Sequence, residues 1–223
     1  MQPTANALTP PSEFEPPDSR PADSKPDAKA EQILAASREI ILEMGYAALS
    51  MDLVAQRARV SKTTLYTRFP SKEELFSATI TDECDRRGMR FQPDEFDALP
   101  LRDILLVIGR RFVDLLWSDA AIRVHQSVLG EAARQPEIAR LFFQAGPEKG
   151  MAAFVALFQR LAERGLIRTE DPSFVALQFM AAMQGGPYCA LVMGQCPLPP
   201  EEERGAFVAR VVDLFLRGIA PSS

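Results

Sequence analysis

Apolar residues recur every three or four positions along the chain from residue 27 onward, and after Pro100 no segment has the alternation of a strand. This pattern predicts an all-α protein of about nine to ten helices. The first helix begins at Asp27 or Ala28 and stops at Gly45, where a glycine can take a left-handed conformation. One stripe of this helix faces inward, and it is formed by Ile33, Ser37, Ile40, Ile41 and Met44.

The segment from Ser50 to Phe69 predicts two short helices joined by a tight turn. Ser50 and Ser61 stand where a hydroxyl can cap the start of each helix, and Pro70 ends the second one. The inward positions are occupied by Leu53, Val54, Ala58, Leu65 and Phe69. The outward positions of the second helix carry hydrogen-bonding and cationic side chains, namely Lys62, Thr63, Thr64, Tyr66, Thr67 and Arg68.

Seven further elements are predicted beyond this pair. Ser71 and Glu74 form a capping box for a fourth helix, and a connector with two prolines spans residues 91–100. Six helical patterns follow it, at 101–116, about 120–134, 136–145, from Met151 to Gly165, from Asp171 onward, and about 201–217. Within the fifth of these, the run Gly185-Gly186-Pro187 must interrupt or kink the helix.

The distribution of charge along the chain makes nucleic acid a candidate partner. A net charge of −5 and a pI near 5.1 argue at first against nucleic acid. Residues 29–72, however, contain seven Lys and Arg against four Asp and Glu, a local excess of +3. A helix-turn-helix presents its second helix to the major groove, and the local field governs docking on phosphates. The sequence therefore predicts a DNA-reading segment in which Lys72 contacts a phosphate, with a solvated lysine as the alternative.

We divide the chain into a disordered tail at residues 1–26, a helix-turn-helix head at 27–90 and a larger helical body at 91–223. The tail is rich in Pro, Ser, Asp and Glu and has too few apolar residues to form a core. The first residues lack the basic cluster and apolar run of a signal peptide. Three cysteines, Cys84, Cys189 and Cys196, do not suggest a disulfide framework, although a Cys189–Cys196 redox pair stays open. A cytoplasmic location is the simplest interpretation.

One stretch is long enough to raise the question of a membrane. Residues 172–200 carry no charge and exceed the length that spans a bilayer. They contain three glutamines and the Gly-Gly-Pro run, however, and they lack a basic flank on either side. A buried or interface helix is favoured, and no membrane partner is predicted.

Residues suited to catalysis or metal binding are sparse. The chain has one histidine, His125, and it has no glycine-rich phosphate loop, no G-x-S-x-G and no His/Cys cluster of zinc spacing. We therefore predict no enzyme, no metal and no cofactor. The body instead carries an aromatic and methionine set of the kind that lines an apolar effector pocket, although core filling is the alternative for each member. This set is Trp117, His125, Phe142, Phe143, Phe154, Phe158, Met180, Met183 and Tyr188.

The run from Ile33 to Ile80, above all VSKTTLYTRFPSKEELF, resembles the DNA-binding domain of the TetR family of bacterial transcription regulators. Two positions depart from the family pattern. Arg59 stands in the turn where glycine is common, at a cost of about 1 kcal/mol if it is left-handed, and Arg68 stands where an aromatic residue is common. The DNA-contacting residues that the resemblance implies are Ser50, Ser61, Lys62, Thr63, Thr64, Tyr66, Thr67, Arg68 and Lys72.

The order of helices after Pro100 is most similar to the AefR-type branch of that family. Its last two helices resemble the pair that forms a four-helix interface between two subunits, which here would use Phe174, Gln178, Ala181, Ala182, Phe207, Val208, Val211, Leu214 and Phe215. The resemblance implies a homodimeric repressor that binds a near-palindromic double-stranded DNA operator and is released by a small-molecule effector. The alternatives are a helical adaptor whose head binds protein, a transcriptional activator and a small-molecule enzyme.

Overall fold

A computed structural model describes residues 27–92 and 94–219, and all the regular secondary structure within them is helical. The all-α prediction is confirmed. The predicted tail at residues 1–26 lies outside the described residues. A short 3₁₀ turn, Tyr46–Ala48, accompanies ten α-helices: α1 Ala28–Met44, α2 Met51–Arg57, α3 Lys62–Arg68, α4 Lys72–Arg86, α5 Leu101–Leu116, α6 Asp119–Ala132, α7 Pro136–Ala145, α8 Pro147–Glu163, α9 Pro172–Val192 and α10 Glu201–Ile219.

Capping residues account for most of the helix starts. The carboxylate of Asp27 accepts hydrogen bonds from the backbone N–H groups of Lys29 and Ala30 at 3.1 and 3.3 Å. Asp171 caps α9 by accepting from the N–H of Phe174 at 2.9 Å, as predicted. Helix α6 begins at Asp119, close to the predicted start at about residue 120. Its cap is Ser118, whose hydroxyl oxygen accepts a hydrogen bond from the backbone N–H of Ala121 at 3.1 Å.

The buried apolar side chains form two clusters. The larger one, which we call the body core, lies among α5, α8, α9 and α10 and includes Phe112, Phe154, Phe158 and Phe179. The smaller one, the head core, contains residues of α1 to α4. It is completed by three side chains from α6 and α7, namely Val128, Ile138 and Ala145. The two halves of the chain are therefore joined by shared packing.

Helix α1 follows its predicted inward stripe with one exception. Ile33, Ser37, Ile40 and Ile41 are buried, and Ser37 Oγ lies 2.9 Å from Thr79 Oγ1 of α4. Met44 is exposed instead, so its predicted inward position was wrong. It is the last residue of α1, beyond the buried part of the stripe, where the chain turns off into the 3₁₀ turn.

The connector between α4 and α5 is irregular, as predicted, and arginines hold it against the body. Arg160 of α8 donates to both carboxylate oxygens of Asp97 at 2.8 and 2.9 Å, and Arg164 donates to the same carboxylate at 3.1 Å. Arg111 of α5 pairs with Glu95 at 2.5 Å. The junction between α4 and the body is thus fixed by charge-assisted hydrogen bonds.

Helix α9 is broken where the Gly-Gly-Pro run predicted an interruption. Gly185 has φ 17° and ψ −163°, which are not helical, and Pro187 follows it. A proline inside a helix removes one backbone donor and clashes with the preceding turn. Among the described helices, none combines the length and the apolarity needed to cross a bilayer.

Candidate nucleic-acid interface

Three serines set the geometry of the helix-turn-helix. Ser50, Ser61 and Ser71 cap α2, α3 and α4 by accepting hydrogen bonds from backbone N–H groups three residues later, at 3.2, 3.0 and 3.1 Å. The predicted caps are confirmed. Because each cap satisfies an otherwise unpaired N–H group, it fixes the residue at which its helix begins.

The two sides of α3 differ as the sequence pattern predicts. Leu65 is fully buried in the head core, and Phe69 packs against that core at the end of the helix. The opposite side is exposed and carries Lys62, Thr63, Tyr66 and Thr67. Two predicted outward residues are half-buried instead: Thr64, whose hydroxyl lies 2.8 Å from Ser61 Oγ, and Arg68. Both are held by neighbouring side chains, so neither projects freely.

The turn between α2 and α3 contains a strained residue. Arg59 has φ 52°, and it is the non-glycine residue with a positive φ among those the structure describes. An L-residue in this region brings Cβ close to its own backbone, at a cost of about 1–2 kcal/mol. The left-handed conformation considered from the sequence is therefore present.

Both ends of α3 carry a cation that is paired with an aspartate of another segment. Lys62 Nζ lies 2.7 Å from Asp52 Oδ1 of α2, and this hydrogen bond raises the pKa of the lysine. Arg68 donates from Nε and Nη2 to the two oxygens of Asp27, at 2.7 and 3.2 Å. The guanidinium of Arg68 lowers the pKa of the Asp27 carboxyl. Neither ion pair is predictable from the sequence, since nothing in the local pattern links residues that are 41 or 10 positions apart.

Lys72 is half-buried and not the fully solvated lysine that was the alternative considered from the sequence, and its phosphate contact stays a prediction. Its Nζ lies 4.1 Å from the centroid of the Tyr46 ring, an attractive cation–π distance. Burial lowers the pKa of this lysine, and the Tyr46 ring is held edge-on against Phe76 at a centroid distance of 4.7 Å. The lysine is therefore half-buried against an aromatic ring beside the start of α4.

The same tyrosine segment joins the head to α6. The backbone N–H of Tyr46 donates to Ser127 Oγ at 3.2 Å. The preceding residue, Gly45, has φ 79°, and a Cβ built on it would lie 2.8 Å from Ser127 Oγ. Both the backbone conformation and the space thus require glycine here. Thr81 of α4 makes a second link by donating to the carbonyl oxygen of Ala145 at 3.0 Å.

The predicted pocket residues are spread over several places in the part of the chain that the structure describes. Phe154, Phe158, Met180 and Met183 are buried in the body core. His125 forms an aromatic cluster of its own, with ring centroids 4.9 Å from Phe142 and 5.8 Å from Tyr188, and burial lowers the pKa of its imidazole. Phe143 is exposed. Only Trp117 lines the open cleft of about 510 Å³ between α5, α6 and α10.

The walls of that cleft are largely polar. Arg204 pairs with Asp114 at 3.0 Å, and Arg110 joins the same carboxylate at 2.8 Å from the other side. The remaining lining residues come from the end of α4, the start of α6 and the segment before α10, and include Arg87, Ser118, Asp119, Leu198 and Glu201. Trp117 is buried, and its indole N–H has no hydrogen-bond partner among the described residues. The apolar composition expected of a pocket is not found at this cleft.

The residues predicted for a subunit interface divide into an outer and an inner group. Phe174, Gln178, Ala181 and Leu214 are exposed, and Ala182 is half-buried. Val208 and Val211 are buried inside the protomer, which corrects their predicted place in the interface. The ring of Phe207 packs against Trp117 at a centroid distance of 4.9 Å and a tilt of 37°, and Phe215 packs edge-on against Phe179 at 5.2 Å. Helix α10 turns its apolar stripe toward α5 and α9, and the sequence pattern does not distinguish that side from an interface.

Two family models match this chain. Residues 33–79 match the model described as bacterial regulatory proteins, tetR family. Residues 103–218, just over half of the chain, match the model described as AefR-like transcriptional repressor, C-terminal domain. The first match coincides with α1 to α4 and the second with α5 to α10.

Individual proteins are similar over much of the chain. An uncharacterized helix-turn-helix-type transcriptional regulator of Mycobacterium bovis is 31% identical over 149 residues, which cover 66% of this chain and 70% of that protein. The solved structure of the flavonoid-responsive regulator FrrA is 28% identical, with a TM-score of 0.67 over 87% of this chain and 98% of that one. A TetR transcriptional regulator from Agrobacterium tumefaciens shares the fold, with 20% identity and a TM-score of 0.72 over 87% of this chain and 96% of that one.

These matches agree with the capped helix-turn-helix and the helical body. They place the molecule among proteins that bind DNA to control transcription and not among enzymes. The AefR-type resemblance of the helices after Pro100 is confirmed. This chain belongs to the TetR family of bacterial transcriptional regulators.

Proposed function

We propose that this protein is a homodimeric repressor that occupies a near-palindromic operator and leaves it when a small effector binds the body. The observation that carries the proposal is the exposed side of α3, where Lys62, Thr63, Tyr66 and Thr67 stand free of the head core. A recognition helix of this kind reads base edges in the major groove. The head at residues 27–90 would read DNA, and the body at 91–223 would bind the effector and the second subunit.

The DNA contacts divide into two kinds. Ser50, Ser61, Tyr66, Arg68 and Lys72 would position the head on phosphates. Lys62, Thr63, Thr64 and Thr67 would face the bases. Thr67 donates its hydroxyl proton to the Thr63 carbonyl oxygen at 2.8 Å. In that arrangement Thr67 meets DNA as a hydrogen-bond acceptor or through its methyl group.

The proposed dimer uses the outer group on α9 and α10. Phe174 and Leu214 are 59% and 65% exposed, and large apolar side chains at such exposure favour a protein contact. Gln178, Ala181 and Ala182 follow Phe174 along α9, and their small or polar side chains permit close helix approach. Two-fold symmetry would place the two α3 helices in successive major grooves, about 34 Å apart.

Effector control is supported by the description of the matched C-terminal model as a repressor domain and by the flavonoid response in the name of FrrA. Two places in the body suit a ligand: the His125–Phe142–Tyr188 cluster beside the broken α9, and the polar cleft beside Trp117. A ligand at either place releases DNA only to the extent that it binds the DNA-free conformation more tightly.

Binding-site selection from a random duplex library tests the proposal. We expect the wild-type protein to enrich a two-fold symmetric sequence with half-sites about one helical turn apart. Thr63→Ala is expected to change the preferred bases more than the affinity, whereas Lys72→Ala is expected to weaken binding to all sequences alike. Enrichment of no sequence, or of an unsymmetrical one, would reject the dimeric operator reader and favour a head that binds protein.

A further inference from the structure

The two cations at the ends of the recognition helix are each held by a carboxylate. Lys62, the first residue of α3, pairs with Asp52 at 2.7 Å. Arg68, its last residue, makes a two-pronged pair with Asp27 at 2.7 and 3.2 Å. The two aspartates come from different elements, the first turn of α2 and the cap of α1. The arrangement thus frames the exposed side of α3 with two ion pairs.

Stability does not account for the Lys62–Asp52 pair. The Lys62 and Asp52 side chains are 65% and 69% exposed, and exposed ion pairs contribute little to folding because water and salt screen them. The Arg68–Asp27 pair is more enclosed, with side chains 30% and 48% exposed, and Asp27 also caps α1, so this pair has a structural role. What Asp52 adds, beyond what a neutral residue would provide, is negative charge beside the surface that faces DNA.

That charge acts against phosphate binding. Non-specific affinity for DNA comes from cations that neutralise phosphates and release condensed counterions. A cation that already has a carboxylate partner gains little by exchanging it for a phosphate, and the abandoned carboxylate then lies close to the DNA backbone. A base edge in the correct position offers directional hydrogen bonds, so it can compensate for the lost pair where a random phosphate cannot.

We infer that Asp52 is a specificity-determining residue, which suppresses binding to non-operator DNA by competing with phosphates for Lys62. This inference rests on α3 being the element that reads DNA. Asp52 acts as a positioning residue, because it works through the cation and need not touch DNA itself. Asp27 is not included, because its partner Arg68 is proposed to contact a phosphate on any DNA.

The test compares Asp52→Asn with the wild-type protein on two duplexes. One is a random-sequence duplex of about three helical turns, and the other is a duplex enriched by selection with the wild-type protein. We expect the variant to bind the random duplex more tightly, with a plot of log affinity against log salt steeper by about one unit. Between 50 and 200 mM salt, the advantage of the variant over wild type should therefore shrink by about threefold. The affinity for the enriched duplex should rise less, so that discrimination falls.

Asp171→Asn is the matched control. Asp171 is also an exposed aspartate at the start of a helix, α9 of the body, and the substitution changes the net charge by the same amount. We expect it to leave the salt slope unchanged. An equal steepening in Asp171→Asn would mean that net charge alone is responsible, and it would overturn the inference.

A double variant separates the action through Lys62 from a direct repulsion of DNA by Asp52. In a Lys62→Met background, Asp52→Asn is expected to have no more effect on the salt slope than the control has. Asp52→Glu, introduced alone, should give the salt slope and the discrimination of the wild-type protein, because the longer carboxylate can still pair with Lys62. An effect of Asp52→Asn that persists without Lys62 would overturn the inference. Failure of the proposed function is distinguishable, since the wild-type protein would then bind neither duplex.

Discussion

Arg59 shows how one residue can oppose the fold that surrounds it. The turn between α2 and α3 requires a positive φ, which glycine adopts without a steric penalty and arginine does not. The backbone is nevertheless well fixed there, since Val60 N donates to Ala55 O at 3.0 Å and Arg59 N donates to Gln56 O at 3.2 Å. The strain is therefore stored in the native state and is released only on unfolding.

Arg59→Gly is expected to raise the free energy of unfolding by about 0.5–1 kcal/mol, the relief of strain minus the extra backbone entropy of an unfolded glycine. Urea titration followed by circular dichroism measures the change. Arg59→Ala is the control, because it removes the same side chain but keeps a Cβ at positive φ. A gain of equal size in Arg59→Ala would mean that charge, not strain, is responsible.

His125 gives the protein one titratable group near neutral pH. Its Nδ1–H donates to the Ala121 carbonyl oxygen at 2.7 Å, and burial against Phe142 and Tyr188 lowers its pKa. In the unfolded chain a histidine takes up a proton near pH 6.5. The folded state takes it up only at lower pH, so the unfolded state binds more protons in that interval.

The free energy of unfolding should therefore fall as the pH is lowered through about 6.5, and the loss should be complete below the folded pKa of His125. Urea titrations at pH 7.5, 6.5 and 5.5 measure this dependence. His125 is the single histidine of the chain, so His125→Gln should make stability nearly flat over the same range. A slope that is unchanged in this variant would assign the effect to carboxylates.

At the scale of helices, most helix boundaries could be predicted from the sequence. The side of each helix that is buried could be predicted only in part. Serine and aspartate caps and the prolines at the starts of α7 and α9 act locally, so the sequence alone predicts where those helices begin. Helix α8 begins at Pro147 and not at Met151, where the apolar pattern placed its start. Which side of α10 faces the body depends on α5 and α9, which are distant in sequence. Val208 and Val211 were misplaced for that reason. The Asp27 and Asp52 pairs were missed because long-range contacts leave no periodic pattern.

Gly109 allows three helices of the body to meet. A Cβ at this position of α5 would lie 2.7 Å from Met183 Cε of α9 and 3.1 Å from Val208 Cγ1 of α10. Gly109→Ala is therefore expected to lower the free energy of unfolding by about 1–3 kcal/mol through overpacking. Thermal and urea unfolding would measure the loss.

Gly130 provides the matched control for this prediction. It lies in α6, where a Cβ would meet nothing within 4 Å. Gly130→Ala should stabilise the protein by about 0.5–1 kcal/mol, because alanine is the better helix former. If both substitutions changed stability in the same direction, close packing at Gly109 would not be the cause.

At the scale of the whole molecule, the proposed dimer depends on exposed apolar side chains of α9 and α10. Phe174→Glu and Leu214→Glu each place a charge where the second subunit would pack, and burying that charge is costly. We expect both variants to sediment as monomers at micromolar concentration while keeping their helical content. Their affinity for a two-fold symmetric duplex should fall, because one head then binds without the other.

Leu129→Glu is the control for the interface. Leu129 is 63% exposed, which is comparable to the two interface residues, but it lies on α6. This variant should keep the sedimentation coefficient of the wild-type protein. Dimers in all three variants would mean that α9 and α10 do not form the subunit contact.

Helices α6 and α7 contribute three buried side chains to the head core, namely Val128, Ile138 and Ala145. These contacts limit how this regulator can be re-engineered. A chimera cut at residue 90 would set this head against the α6 and α7 side chains of another body, and a smaller side chain at any of the three positions would leave a destabilising cavity. A transplantable reading unit has to carry α6 and α7 with it, or receive substitutes for their buried faces. Swapping only the first four helices between relatives would therefore yield poorly folded hybrids, even when the DNA-facing residues are copied without change.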